Sequence, residues 1–157
     1  MSPRRDLLDD PNAPRANSLV PAASAVVIDE VGRILLHKRT DNEYWSIPGG
    51  SMKPGESIAE TVVREVREET GIEAEVEKIL GVYSNPRHVS VYDDGEVRQQ
   101  FSVCFLCHAV AGELRTSKES SDVRFVELAE TDALEIHPSI RLRIQHYAEN
   151  RPEPVIA

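Results

Sequence analysis

The sequence predicts an α/β domain in which a mixed sheet is held between helices. Three observations carry that reading. Short runs of β-branched and apolar residues recur along most of the chain, separated by turn residues. One amphipathic helical stretch lies among them and a second follows near the end. An Asp93-Asp94-Gly95 turn joins two of the runs as a hairpin. Strands interleaved with a few helices, one pair joined by a hairpin, argue for a mixed sheet between helices.

The elements follow in order. Residues 1–17 are charged, contain proline and show no periodicity, so they are expected to form a flexible arm. Residues 23–28 and 33–38 are strands, with Ala-Val-Val-Ile and Ile-Leu-Leu as their apolar cores, joined by a turn over 29–32. Residues 45–48 form a short extended piece leading into Gly49-Gly50. A helix is expected over 57–70. Ser57 with Glu60 reads as a capping box and Gly71 as the terminator. Residues 74–82 are another strand, and 84–88 a loop marked by Asn85-Pro86. Residues 89–92 and 96–110 flank the hairpin turn. Residues 123–128 form a further strand, and 139–149 a second amphipathic helix, apolar at Ile140, Ile144 and Tyr147-Ala148. The folded domain is expected over 18–150, with 151–157 as a proline-containing tail. No internal repeat is present.

A chain of 157 residues is one domain's worth and long enough for a core. Its net charge of −9 would repel a nucleic-acid polymer. A small anionic substrate needs local neutralisation, which a metal can supply. There is no apolar run long enough to span a membrane, and the charged first ten residues do not read as a signal peptide, so a cytoplasmic location and no membrane partner are expected. A homodimer is allowed. The two cysteines, Cys104 and Cys107, fall three apart on an expected strand. Such residues point to opposite faces, and no second pair completes a zinc site. They read as small strand residues in a reducing compartment.

The chemistry concentrates in the first helix. Its apolar residues Ile58, Val62 and Val66 define one buried face. Helical neighbours lie three, four and seven apart. Glu65 is three past Val62, and Glu69 is three past Val66, so both carboxylates sit on or beside the core stripe, with Glu68 flanking Glu65. Crowded, partly desolvated carboxylates repel one another unless a positive charge lies between them. Arg64 supplies one charge against three. A hard divalent cation, which prefers carboxylate oxygens, is the expected missing partner.

The full stretch runs from Gly50 through Glu56 to Arg64-Glu65-Val66-Arg67-Glu68-Glu69-Thr70-Gly71-Ile72. It resembles the signature of the Nudix (MutT-like) hydrolase family: glycine, five residues, glutamate, seven residues, then Arg-Glu-apolar-x-Glu-Glu-x-Gly-apolar. Every specified position is filled. The resemblance implies a Nudix α/β/α sandwich and the hydrolysis of phosphoanhydrides with Mg²⁺, for which Mn²⁺ can substitute. It implies Glu65, Glu68, Glu69 and the Gly50 carbonyl as metal ligands. It also implies Arg64 as the residue orienting a carboxylate, Glu56 as a support for the loop and the ligands, and Gly49 with Gly50 as a close backbone approach to substrate.

Outside the signature the residues leave alternatives open. Glu119 falls in a polar stretch, 117–122, and is either a further metal ligand or base, as family members often carry there, or a solvated loop acid. Arg39 either touches a substrate phosphate or is an exposed strand-end arginine. Tyr44 and Trp45 could stack a base, although a lone Trp in a chain with 5% aromatics belongs more often to the core. Asp122 reads as surface. His37, His88, His108, His137 and His146 show no metal-ligand spacing. The intact signature favours an enzyme over a non-catalytic nucleotide-binding module. Pro86 lies near where the ADP-ribose-cleaving subgroup carries a proline. The expected substrate is therefore a nucleoside diphosphate linked to another moiety, of ADP-ribose or nucleotide-sugar type, with residues 84–97 lining the side that holds the second group. The alternative is sanitising of oxidised nucleoside triphosphates such as 8-oxo-dGTP.

Overall fold

Side-chain alternation along the central strands sorts apolar residues onto two faces of one sheet, and a helix covers each face. The computed structural model of the protein describes residues 4–157. In chain order the elements are β1 (Arg4–Leu8), β2 (Ser18–Leu19), β3 (Ala22–Ile28), β4 (Ile34–Arg39), β5 (Trp45–Ser46), β6 (Gly49–Ser51) and α1 (Ile58–Thr70). There follow β7 (Ile72–Tyr83), β8 (His88–Tyr92), β9 (Val97–Gln99), β10 (Ser102–Gly112) and β11 (Ser120–Val126). A 3-10 turn (Leu128–Ala133), α2 (Pro138–Ala148) and β12 (Val155–Ile156) close the chain.

The main sheet runs β11-β4-β3-β10-β7-β12, with β5 added to β4 and β6 to β3. Its centre, β3 beside β10, is parallel, while β10 with β7 and β11 with β4 are antiparallel. The sheet is thus mixed, as expected. On one face Ala23, Ala25 and Val27 of β3 meet Val62 and Val66 of α1. On the other, Val26 of β3 packs with Trp45, Tyr83 and Ile144 of α2. Cys107 belongs to the first cluster and Cys104 to the second, so the two free thiols do face opposite ways. No helix among the described residues is long and apolar enough to cross a membrane.

α1 starts and stops where its capping residues dictate. Glu60 N–H donates to Ser57 Oγ at 3.1 Å, and Ser57 N–H donates to Glu60 Oε2 at 3.0 Å. Gly71 ends the helix at φ 81°, a left-handed conformation open to glycine. The turn is also crowded: a Cβ on Gly71 would lie 2.2 Å from the Glu113 carbonyl oxygen, and one on Gly112 2.3 Å from that of Gly71. The end of α1 is thereby pressed against the end of β10.

The chain departs from its expected elements in several places. A smaller sheet, β1-β8-β9-β2, flanks the main one. Residues 96–110, expected as one strand, are split between the two sheets. Gln100 N–H still bonds His88 O in the small sheet, while Phe101 O accepts from Ala22 N–H at the start of the large one. One apolar run cannot show that its partner changes midway. The expected arm is also structured from residue 4 onward, Met1–Pro3 lying outside the described residues. β1 pairs antiparallel with β8, and Asn17 clamps the hairpin through Gly95 O and Val97 N–H. At the other end, Val155–Ile156 adds to β7. Both ends satisfy backbone groups of an otherwise open strand edge, a demand that periodicity in the ends themselves does not record. β11 begins at Ser120, so half of the expected 117–122 loop is strand.

Candidate active site

The acids of α1 come together with Glu119 at the C-terminal side of the helix. One carboxylate oxygen from each of Glu65, Glu69 and Glu119 lies within 4.8 Å of the others. Glu119 reaches the cluster because it directly precedes β11, whose ladder with β4 starts at Ser120 opposite Arg39. Glu68, more than half exposed, stands at the mouth of the cleft beside Glu65.

Each acid has a different neighbour. Glu69 is 3% exposed; its Oε1 accepts from Gly49 N–H at 2.8 Å and its Oε2 lies 3.5 Å from His37 Nε2. Burial raises its pKa well above the usual carboxylate range, and the charges of Glu65 and Glu119 push in the same direction. Glu65 is raised for the same first reason, against the opposing pull of Arg64. His37 is no help as a counter-charge. Burial holds its pKa down at about 4, and its Nδ1 pairs with Ser120 Oγ at 2.7 Å.

Arg64 organises the other side. Its Nε and Nη2 grip Glu56 at 2.9 and 2.7 Å. Nη1 reaches Glu65 Oε1 at 2.8 Å and Glu68 Oε2 at 3.2 Å, and Nη2 also donates to Ser51 O at 3.1 Å. Glu56 in turn accepts from Lys53 N–H and Thr61 Oγ1. The Arg64 bond lowers the Glu56 pKa to about 2. Glu56 thus ties the 53–56 loop to α1, and Arg64 links that tie to the acid cluster.

The glycines before the helix are needed for proximity. A Cβ on Gly50 would sit 2.5 Å from Glu65 Cδ, and one on Gly49 2.4 Å from Ala23 O. Only a bare backbone can lie against the Glu65 carboxylate there. An all-oxygen set of three acids and a nearby backbone, with the pKa values of Glu65 and Glu69 raised, fits a hard divalent cation.

Glu65, Glu68 and Glu119 line one end of a cleft of roughly 360 Å³. Arg39 lines it too, but is buried rather than exposed, and Asp41 holds it at 2.9 and 2.6 Å. Tyr44 and Trp45 both line the cleft, and Trp45 is also part of the core, with Arg124 stacked 5.0 Å over its ring. Asp122 is at the surface, paired with Arg124. Of residues 84–97, His88, Ser90 and Tyr92 reach the cleft; among the described residues Pro86 does not line it. The far end is made by Arg4 and Asp6 of β1, His88 and Ser90 of β8, and His137 and Arg143 at and within α2. The expectation for residues 84–97 covers His88 and Ser90, but sequence reasoning missed Arg4, Asp6, His137 and Arg143, and missed His37. A histidine at a core position of β4 was the one available signal.

A family model described as the NUDIX domain matches residues 18–147. An "ADP-ribose pyrophosphatase" of Methanocaldococcus jannaschii is 34% identical over 65% of this chain and 59% of its own length. The human "8-oxo-dGDP phosphatase NUDT18" is 36% identical over 61% of this chain and 27% of its own. Among solved structures, the MutT protein of Methanosarcina mazei superposes with a TM-score of 0.66 at 25% identity, over 86% of this chain and 96% of that one. The chain spans less than two thirds of the length of the two curated relatives named.

Proposed function

The chain belongs to the Nudix family, and from that premise we propose that it hydrolyses a phosphoanhydride in a nucleoside diphosphate linked to a second moiety. The observation that carries this is the meeting of Glu65, Glu69 and Glu119 within 4.8 Å beside a glycine backbone. These acids, with Glu68 and the Gly50 carbonyl, would hold Mg²⁺, or Mn²⁺ in its place. When bound, the ion neutralises phosphate oxygens and lowers the pKa of a nearby water.

The chain's own residues supply the rest. Arg64 fixes the rotamers of Glu65 and Glu68, and Glu56 fixes Arg64. Gly49 N–H fixes Glu69. Arg39, locked by Asp41, adds positive potential where the phosphates lie. Water adds to one phosphorus, the bridging P–O bond breaks, and a nucleoside monophosphate and a phosphorylated second group leave. Glu119 either takes the proton of that water or completes the ligand set.

The relative named for ADP-ribose supports a diphosphate joined to a sugar. The relative named for 8-oxo-dGDP supports a second reading, removal of oxidised nucleotides. A substrate panel separates them: ADP-ribose, nucleotide sugars, dinucleoside polyphosphates and 8-oxo-dGTP, ranked by kcat/KM. A tenfold lead for 8-oxo-dGTP would overturn the first reading and leave the hydrolase intact. Undiminished turnover in excess EDTA would overturn the metal-dependent mechanism itself.

A further inference from the structure

The end of the cleft away from the acids holds a buried cation with no ion-pair contact among the described residues. Arg143 is 3% exposed, and its Nη1 donates to Ser139 O at 2.6 Å. Its guanidinium lies 4.2 Å over the Tyr83 ring. Among the described residues its Nε has no hydrogen-bond partner, and no carboxylate is in ion-pair contact with it. A buried cation in this state is costly, and such groups persist where something else completes them.

Two further features share that end. His88 is 6% exposed and its Nε2 is likewise unpartnered. Its ring stacks on that of His137 at 5.8 Å and 18°, and Tyr44 meets His137 edge-on at 6.0 Å. All three rings line the cleft. Asp6 of β1 supplies an acceptor: its Oδ1 takes a bond from Ser90 Oγ at 2.6 Å, and its other oxygen lies 3.3 Å from Arg4 Nε. The charge of Asp6 is felt at both His88 and Arg143.

We propose that this end of the cleft binds the nucleobase, and that Arg143 with Asp6 selects bases carrying a carbonyl oxygen beside a ring N–H, as guanine and uracil do, over adenine. The proposal rests on the reading of the substrate as a nucleotide, and within that reading it narrows the diphosphate to a guanosine or uridine nucleotide joined to a sugar, away from ADP-ribose. Aromatic rings in the lining can stack or meet edge-on with a planar base. The N–H groups of Arg143 ask for a carbonyl acceptor, the pairing arginine makes with guanine. The Asp6 carboxylate asks for an N–H donor and repels a phosphate, so a second phosphate group does not belong here. Adenine has no ring N–H on that edge and sets an amino group beside its ring nitrogen, so donor would face donor at Arg143.

The test uses guanosine, uridine and adenosine, which lack phosphate and so report on this end alone. Binding is measured by ligand-observed NMR in EDTA. Guanosine and uridine are expected to bind about tenfold or more tightly than adenosine, since unpaired buried polar groups strongly disfavour the wrong partner. Arg143→Met should erase that preference, with a metal-free melting temperature no lower than that of the unaltered chain. If Arg143→Met does not fold, Asp6→Ala on the edge strand β1 should weaken guanosine and uridine binding several-fold and leave adenosine unchanged. Equal or tighter binding of adenosine, or of no nucleoside at all, would overturn the proposal. So would an Arg143→Met protein that keeps the preference while melting lower, which would make Arg143 a packing residue. Absence of metal-dependent turnover would overturn the hydrolase reading and leave the base preference standing.

Discussion

The acid end of the cleft and its arginine–histidine end are unbalanced in opposite senses, and they are assembled in opposite ways. At the acid end Glu65, Glu69 and Glu119 crowd together with Arg64 as their near cation. At the other, Arg143 is buried and, among the described residues, has no carboxylate in ion-pair contact. The first end comes mostly from one continuous stretch, β6 through α1, in which helical spacing alone places two of the three acids. The second draws one or two side chains from each of β1, β8 and α2, elements brought together only by the completed fold. What separates the ends is therefore how far along the chain a residue must look for its neighbour. An electrostatic deficit written into a helix is visible beforehand; one assembled across sheets is not.

The largest way to break the comparison is Glu69→Gln. The amide oxygen can still accept from Gly49 N–H, so shape is kept while the charge goes. We expect kcat to fall by about 100-fold or more, the scale of losing one preorganised electrostatic contact, with a smaller change in KM. The metal-free melting temperature should rise, because an uncompensated buried carboxylate has been removed. Unfolding together with inactivation would show that the acid end is structural instead.

Gly50→Ala probes the same end through the backbone. Its Cβ would fall 2.5 Å from Glu65 Cδ, so that carboxylate or β6 must move. A displacement of this order is expected to lower kcat by about 10–100-fold, and a crystal structure of the variant should show Glu65 turned away from Arg64. Glu119→Gln comes next. About a tenfold loss is expected, measured as kcat at saturating Mg²⁺. A rate within twofold of the unaltered protein, roughly the noise of such comparisons, would return Glu119 to the status of a solvated acid.

The smallest effect sharpens the other end and is read as stability against pH. Burial lowers the His88 pKa from 6.5 to about 4. Between those values the unfolded chain takes up a proton that the folded chain refuses, so stability is full above pH 6.5 and declines as pH falls toward 4. At full extent this is worth on the order of 3 kcal/mol. His37 and His137 are shifted the same way, so His88→Asn should flatten the decline rather than abolish it. Melting curves between pH 4 and 7 would measure it, and an unchanged slope would count against His88 as a buried neutral ring.

Much of the fold was legible for a physical reason. Capping chemistry at Ser57, Glu60 and Gly71 bounds α1 to within a residue, because those groups interact with their own neighbours. The opposite facing of Cys104 and Cys107 follows from strand geometry. What was hidden depended on partners distant in the chain. β1 is a strand because β8 offers it an edge, and Asp6 enters the cleft only through that pairing. Arg39 is the exception, since its partner Asp41 is only two residues on; what strand position left open was whether the wall of the cleft buries it. Glu119 could be read either way because its place depends on where the β11 ladder begins. His37 was one of five scattered histidines, and only the burial of β4 beneath α1 sets it against Glu69.

The pressed turn where Gly71 meets Gly112 has an evolutionary consequence. In a library of single substitutions both positions should be nearly empty of anything but glycine, although neither touches the cleft. Gly112 is blocked by the backbone of Gly71 and Gly71 by that of Glu113, each as well as by its own positive φ. No single second change can therefore rescue either one, and paired replacements should fare no better. Drift can alter the loops on either side of this contact, but the contact itself should behave as a fixed point. It lies two residues past Glu69, so the acid end inherits an anchor that gradual sequence divergence cannot easily slide.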